Sequence, residues 1–496
     1  MMLRIGVALM SGRTAWVSLD ADCTVQELRR QAQLGLGVHL DRLFSGDSTR
    51  AKALQALPNT STLKNTGLHD GQVVTGSVRE TKIASYLGSC LSPVRSFTLE
   101  DLYSPFDALA IVGEDGSIRI CSNDPFPASD SICGVQHVTA SSRSFAAIQE
   151  DGRVTAFGDP DAGGDVKSVQ DRLEEVQMIF STHRAFAALR SDGHVVAWGD
   201  PMYGGSCEGV QEQLHGVKMI QSNVSAFAAI CEDGQVTAWG NPEDGGECMQ
   251  CVSDVTTICA ANHAFAAVRA DRSLVTWGSK LYGGDIADIA PGLEVEDVQA
   301  VCASGNAFAA ICGGGAVVAW GCPYSGGSTH GVQEQLTSVR SLQATDSAFA
   351  AIGDGGSVVT WGHAQHGGDS SSVCGLLQDI EDIQATTGAF AAKKLDGTVL
   401  TWGHDRSGGD TSHLQEKLKN VQHVWANQSA FAALREDGRV LTWGDANFGG
   451  DSTGVQDLLV DVRVIHASGK SFAAVRHDGS VVTWGLVGEA TYPKNL

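Results

Sequence analysis

The sequence predicts a mainly β protein, a small N-terminal body with one helix followed by a β-propeller of nine to ten short three-stranded units. Three observations carry that prediction. Phe followed by two alanines recurs at Phe145, Phe186, Phe227, Phe265, Phe308, Phe349, Phe390, Phe431 and Phe472, at spacings of 41, 41, 38, 43, 41, 41, 41 and 41 residues. Twelve residues after each stands an aromatic-Gly pair, led by Phe157 and then by Trp198, Trp239, Trp277, Trp320, Trp361, Trp402, Trp443 and Trp484. A fixed period of this size marks a solenoid, propeller or array. Third, the first 80 residues lack the period and show instead strand alternation, one capped helical stretch and a closing strand.

In "LRIGVALMSGRTAWVSL" the residues Leu3, Ile5 and Val7 alternate, the chain turns at Ser11-Gly12, and Val17 and Leu19 resume the pattern. That is a hairpin with one buried face. Thr24 with Glu27 three places on is a capping-box pattern, and "VQELRRQAQLGL" has the apolar spacing of a helix. "LDRLFSGD", "STLKNTGLHDG" and the strand "QVVTGSV" complete the body. This order resembles the ubiquitin-like β-grasp over about residues 2–79. In that family a small apolar patch is read by receptors; the matching places here are Met10, Phe44 and Gly76, so one of the three has lost its side chain. The chain continues past Val78 without a Gly-Gly end, so the resemblance implies a fused docking domain and not a conjugated tag. The expected organisation is a ubiquitin-like domain over 1–80, a linker over 81–104 and repeats over 105–490.

Within a repeat, "AFAALREDGRVLTWG" reads as strand, Asp-Gly turn, strand. Asp-Gly suits a two-residue hairpin loop in which both residues take φ > 0. In "FAAL" both faces carry apolar groups, so the strand is expected between neighbouring sheets. A Gly-Gly pair follows in a loop, and then residues such as Val210/Leu214 and Val455/Leu459, four apart, predict one helical turn laid against the sheet. A further strand of the type "VQHVWAN" leads into the next Phe. No unit can bury both faces alone, and radial stacking solves that, which is the logic of a propeller.

The hairpin pattern, with Asp-Gly-x-Val-x-x-Trp-Gly and then Gly-Gly, resembles the regulator of chromosome condensation repeat family over about residues 105–485. The loop departs from it, showing Gly-Gly-Asp where the family has Gly-Gln-Leu-Gly, and the shorter period is similar to that of the three-stranded blades of certain bacterial β-lactamase-inhibitor propellers. A degenerate unit at 107–124 precedes nine clear hairpins, against the seven blades usual in the family. The ring is therefore unusually large, open or split.

The formal charge is −23, and residues 1–80 hold nine Lys/Arg against seven Asp/Glu, a balance of +2 that leaves −25 for the rest. Such a field repels nucleic acid and anionic membranes and favours basic partners. Acidic loops also keep a large β protein soluble, and both readings stand. The 13 cysteines are odd in number and scattered, as for small buried hydrophobes in a reducing compartment. The opening "MMLRIGVALM" is too short an apolar run for a secretory core or a membrane span, so a cytoplasmic protein is expected.

Candidate chemistry is sparse. "GDSTG" around Ser452 matches a nucleophile elbow on paper, but Ser452 lies in the ordinary repeat loop, where Ser370 also stands. "CMQC", Cys248 to Cys251, lacks the second pair of a zinc ribbon and falls in the one shortened repeat; His363 and His366 have metal-like spacing in a variable loop. Asp165, Asp285, Asp369, Asp410 and Asp451 follow the Gly pair, where an Asp caps the next turn by accepting backbone N–H bonds. Calcium would want more oxygens than each loop offers. No catalytic residue, metal site or cofactor is expected.

Two functions from different classes fit. One is a non-enzymatic scaffold whose loops present a partner surface on a rigid frame, linked through the ubiquitin-like domain to ubiquitin-dependent turnover. Its partner would be a protein with a basic surface, met by Glu243, Asp244 and Glu247 beside one Gly pair and by Asp405 and Asp410 beside another. The other, implied by the repeat resemblance, is guanine-nucleotide exchange on a small GTPase, which in that family uses a protruding wedge. Apart from the units ending at Phe265 and Phe308, every spacing is 41, which leaves little room for such an insertion.

Overall fold

The computed structural model describes residues 2–9, 14–36, 40–45, 55–56, 62–66, 68, 73–78, 82–85, 108–112, 118–122, 132, 134–248, 252–286, 295–486 and 490–492. Contacts divide the chain into two compact units that part between Lys82 and Ile83.

In the first unit β1 (Met2–Leu9) pairs antiparallel with β2 (Thr14–Asp20), and α1 (Val25–Leu36) follows. Then come β3 (Leu40–Ser45), β4 (Gln55–Ala56) and β5 (Val73–Val78). The sheet order is β2-β1-β5-β3-β4, with β5 parallel to β1, which is the β-grasp arrangement. The helix starts where its cap residue predicts: the Glu27 N–H donates to Thr24 Oγ1 at 3.3 Å. Ile5, Val7, Val25, Leu28, Ala32, Leu43, Leu63 and Val74 are fully buried in one core between helix and sheet.

The described residues of the second unit hold ten antiparallel sheets, nine of three strands and a last one of four. The first of these includes the strand Lys82–Ser85, which lies inside the stretch expected as a linker, alongside Ala108–Val112 and Ile118–Ser122. The unit of Phe227 shows the pattern, with strands Val217–Ser222, Ala226–Cys231 and Val236–Gly240. Phe227 stands opposite Trp239 across the hairpin, and their rings stack at 5.2 Å. Both faces of the middle strand are buried, as its sequence requires. Phe227 and Ala229 pack with Ala185, Ala187 and Leu189 of the unit before, while Ala226, Ala228 and Ile230 pack with Phe265, Ala267 and Trp277 of the unit after. Alternating large and small side chains thus interlock consecutive sheets.

The Gly pair makes that close approach possible. Gly204 has φ 88°, and a Cβ there would stand 2.6 Å from Phe227 Cδ2 of the next unit; a Cβ on Gly205 would stand 2.3 Å from the Gly199 backbone. The carbonyl of Gly204 accepts the Trp239 indole N–H at 3.1 Å, so the buried Trp is also satisfied as a donor.

The Asp-Gly turn differs from expectation. Gly234 has φ 80°, but among the described residues none of the Asp partners has positive φ. The loop closes over three residues, with Gly234 N–H donating to the Cys231 carbonyl at 3.0 Å and Cys231 N–H to that of Gln235 at 2.9 Å. This is a type I turn followed by a left-handed Gly, in which only the Gly needs φ > 0. Asp233 serves by its side chain, accepting the Gln235 N–H at 2.9 Å.

From the unit of Phe145 onward two sets of backbone bonds tie successive units, the first of them at most junctions and the second at every one. At the Asp-Gly turns, Val217 N–H donates to the Gly193 carbonyl at 2.9 Å and Val255 N–H to that of Gly234 at 3.0 Å. At the other end of the middle strand a ladder runs from Ser142 N–H to the His183 carbonyl at 3.0 Å, His183 to Val224 at 3.0 Å, Val224 to Asn262 at 3.3 Å and on through Gly305, Asp346, Thr387 and Gln428 to Gly469. These positions differ in side chain because the contact is made by the backbone.

Candidate functional site

Among the described residues eight units, from that of Phe145 to that of Phe431, expose a loop tip between the aromatic-Gly pair and the Gly pair. The tip is a single 3-10 turn that sequence patterning missed, such as Pro201–Tyr203 opened by Asp200, whose carboxylate accepts the Met202 N–H at 3.0 Å. Equivalent tips are Pro242–Asp244, Lys280–Tyr282 and Pro323–Ser325. The second residue of each points outward: Met202 is 64% exposed, Leu281 76% and Tyr324 81%, with exposed Glu243 between the first two. Large apolar residues therefore stand at the same position of three units, a signal available in the sequence once the tips are aligned.

Among the described residues the predicted covering turn is present as a second 3-10 turn in five units, for example Gln333–Gln335 and Gln456–Leu458, and as a hydrogen-bonded turn before Leu418 in the unit of Phe390. Leu173, Leu214, Leu336, Leu377, Leu418 and Leu459 are buried beneath it. Its Gln side chain has a fixed task, since Gln211 Nε2 donates to the Val195 carbonyl at 3.2 Å and Gln456 Nε2 to that of Val440 at 2.9 Å.

The five acidic candidates occupy different settings. Glu243, Glu247, Asp405 and Asp410 are exposed. Asp410 also accepts the Ser412 N–H at 2.9 Å, and that bond holds its carboxyl below the ordinary carboxylate range. Asp165, Asp369 and Asp451 each take the N–H two residues on at 2.9 Å in the same way, whereas Asp285 meets Lys280 Nζ at 2.9 Å. Asp244 is turned inward. Its carboxylate meets His263 Nδ1 at 2.8 Å and accepts from Asn241 Nδ2 at 2.9 Å and from Ser225 Oγ. Burial by itself would raise its pKa, but the hydrogen bonds from His263 and Ser225 outweigh it and hold the carboxyl low.

The other candidates are placed as follows. Ser452 is buried, accepting from Thr442 Oγ1 at 2.9 Å and donating to Gln456 Oε1 at 3.0 Å. His363 and His366 lie 4.7 Å apart by ring centre, with His404 of the next unit 6.3 Å from His366. Among the described residues no group of three or more His, Cys, Asp and Glu is arranged to hold a metal ion. Cys251 and Met10 lie outside the described residues; Phe44 lies on β3 opposite Ala56 and Thr75, and Gly76 lies on β5 opposite Leu9 and Leu43.

The irregular spacing has a structural consequence. In regular units a Val or Leu of the covering loop joins the cluster of the next Trp, as Val210 does with Trp239 and Val373 with Trp402. The unit of Phe227, 38 residues long, omits three residues there, and among the described residues Cys248 and Val252 are its loop members beside Trp277. A cavity of about 340 Å³ lies beside this loop, lined by Cys248, Val252, Val275 and Trp277 with Glu247, Thr276, Lys280 and Asp285 among its polar groups.

No family model and no curated protein matches the chain. Among solved structures it is similar to human WBSCR16, with 16% identity over 47% of this chain and 79% of that one at a TM-score of 0.30. It is similar to the structure of Kap60 bound to yeast RCC1 (Prp20), with 16% identity over 47% and 70% at 0.31. It is similar also to Prp20p from Saccharomyces cerevisiae, described with its binding properties to Gsp1p and histones, with 15% identity over 55% and 72% at 0.29. At these identities and scores no activity transfers.

Proposed function

We propose that the chain is a non-enzymatic protein-interaction scaffold in which a ubiquitin-like body is fused to an acidic repeat body resembling regulator of chromosome condensation propellers. The observation that supports it is the division of labour inside each unit. In most units the recurring polar groups, the Asp after the Gly pair, the covering-turn Gln and the indole N–H, are engaged in holding the protein's own backbone. The residues that vary from unit to unit stand exposed at the tips, where a rigid frame offers them to a partner. A charge of −25 on residues 81–496 favours a partner with a basic surface. The protein works in the cytoplasm, and its ubiquitin-like body connects the partner to ubiquitin-dependent processes.

Affinity purification of the full chain and of a form lacking residues 1–80, with the partners identified by mass spectrometry, tests this reading. Recovery of basic proteins by both forms, with ubiquitin-pathway proteins lost from the shorter one, is the expected result. A nucleotide-release assay across small GTPases decides against the other class: accelerated release would replace the scaffold reading with exchange activity.

A further inference from the structure

We infer that the cavity over Trp277 is an anchor pocket for one long apolar side chain carried on a basic, extended segment of a partner protein. This rests on the scaffold reading and assigns it a place and a recognition chemistry. Three features of the site combine. First, the cavity lies between the described ends of the loop in the 38-residue spacing and the next hairpin, whose stack is intact: Phe265 and Trp277 lie 5.2 Å apart, and Trp277 Nε1 donates to the Gly245 carbonyl at 3.1 Å. The opening is therefore a local departure on a rigid floor, the setting in which an inserted side chain loses least freedom and gains most contact.

Second, an apolar wall is joined to a polar rim that is acidic on balance, with Glu247 and Asp285 against Lys280. Trp277, Val275, Val252 and Cys248 offer contact to an aliphatic or aromatic group, and about 340 Å³ lies at the small end of ligand pockets, enough for an anchor residue. Among the described lining residues the cation is Lys280, and it is bonded to Asp285 at 2.9 Å. Exposed Glu247 on the rim and exposed Glu243 beside it select a positively charged neighbour for the anchor.

Third, the tips extend the site along the units. Leu281 follows Lys280 at the lip, Glu243 and Tyr324 hold the equivalent position in the units on either side, and Met202 holds it one unit further on. An extended segment crossing successive tips meets apolar, acidic, apolar and apolar side chains in that order. A buried anchor surrounded by weaker contacts is the usual distribution of binding energy in an interface.

The experiment is selection of a phage-displayed random peptide library on the full chain, followed by anisotropy titration of the enriched peptides. The expected consensus is a Leu, Met, Phe or Trp flanked by Lys or Arg. Cys248→Trp, which fills the cavity, should weaken the selected peptides by about tenfold or more, and Glu247→Lys should weaken them in proportion to their positive charge. Should Cys248→Trp fail to fold, judged by its melting transition, the exposed changes Glu247→Lys and Leu281→Ser carry the same comparison. An acidic or purely polar consensus, no enrichment, or peptides that bind the filled variant as well as the parent would overturn the pocket. If proteins recovered by the parent chain are recovered equally by Cys248→Trp, the pocket falls while the scaffold reading stands.

Discussion

The junction between the units of Phe186 and Phe227 and the junction between those of Phe227 and Phe265 share their hairpins and differ in their loop. In both, Phe and Trp stack at 5.2 Å and the indole N–H reaches a Gly carbonyl at 3.1 Å. Both carry the backbone ladder, His183 to Val224 at 3.0 Å in one and Val224 to Asn262 at 3.3 Å in the other. In the first, Val210 of a covering turn lies beside the Trp and Gln211 donates to the strand carbonyl of Val195; in the second, Val252 lies beside the Trp and its carbonyl accepts the Val236 N–H at 2.9 Å. Stacking is thus specified by the hairpin and the Gly pair. The covering turn is an accessory, and at the junction where the spacing is shorter a cavity borders the next Trp.

The largest expected effect tests that distinction directly. Trp361→Ala at a regular junction should cost about 3–5 kcal/mol in chemical denaturation, because the surrounding sheets are fixed and a void remains. Trp277→Ala should cost less, since that indole already borders a cavity and loses fewer contacts. Equal losses would mean that the space over Trp277 is filled in solution.

The Gly pair should behave alike at both junctions. Gly204 and Gly245 have φ of 88° and 93°, and a Cβ on either would stand 2.6 or 2.8 Å from the next Phe ring. Ala at each should destabilise by about 1–3 kcal/mol or more from strain. Gly209→Ala, with nothing within 4 Å, should be nearly neutral in the same melting assay. Tolerance of Gly245→Ala alone would break the equivalence of the two stacks.

Removing the accessory turn's anchor should matter less. Gln211→Ala should lower stability by about 1 kcal/mol, the worth of one hydrogen bond to a strand carbonyl. A neutral result would place the whole contribution of the turn in Val210 and Leu214.

Acidification should separate the tips by the smallest effect. Burial, aided by His363 and His404, holds His366 below its usual pKa of 6.5, so the fold favours its neutral form. That contribution is complete above pH 6.5 and is lost as pH falls from there through the folded value. Asp244 at the irregular junction is held below its usual 3.8, so its contribution persists until pH falls below that value. Melting curves should show parent and His366→Gln converging at neutral pH and diverging in favour of the variant under mild acid, with Asp244→Asn showing no such divergence there.

Much of the fold was legible because it is local. Strand alternation, the Thr24 cap and the 41-residue recurrence depend on side chains near in sequence, and they gave the β1–β2 hairpin, α1 and the paired Phe and Trp. The Asp-Gly turn was located correctly and typed wrongly, since a two-residue and a three-residue loop use the same residues and differ in which N–H closes the turn, here that of Gly234 onto the Cys231 carbonyl. The acidic candidates were legible as charges, but not that Asp244 turns toward Ser225 and His263, because its partners come from two different units.

The sequence by itself determined the repeat, its strands and the faces they bury, because period and hydrophobic alternation are written in side chains. Tertiary structure alone decided how units are joined and where the joining leaves space. The ladder from Ser142 to Gly469 is made by backbone groups, which every residue except proline offers equally, so Ser, His, Val, Asn and Gly hold equivalent rungs without a shared signature. The cavity over Trp277 is likewise invisible in any one unit, because it is the difference between the loop of one repeat and the hairpin of the next.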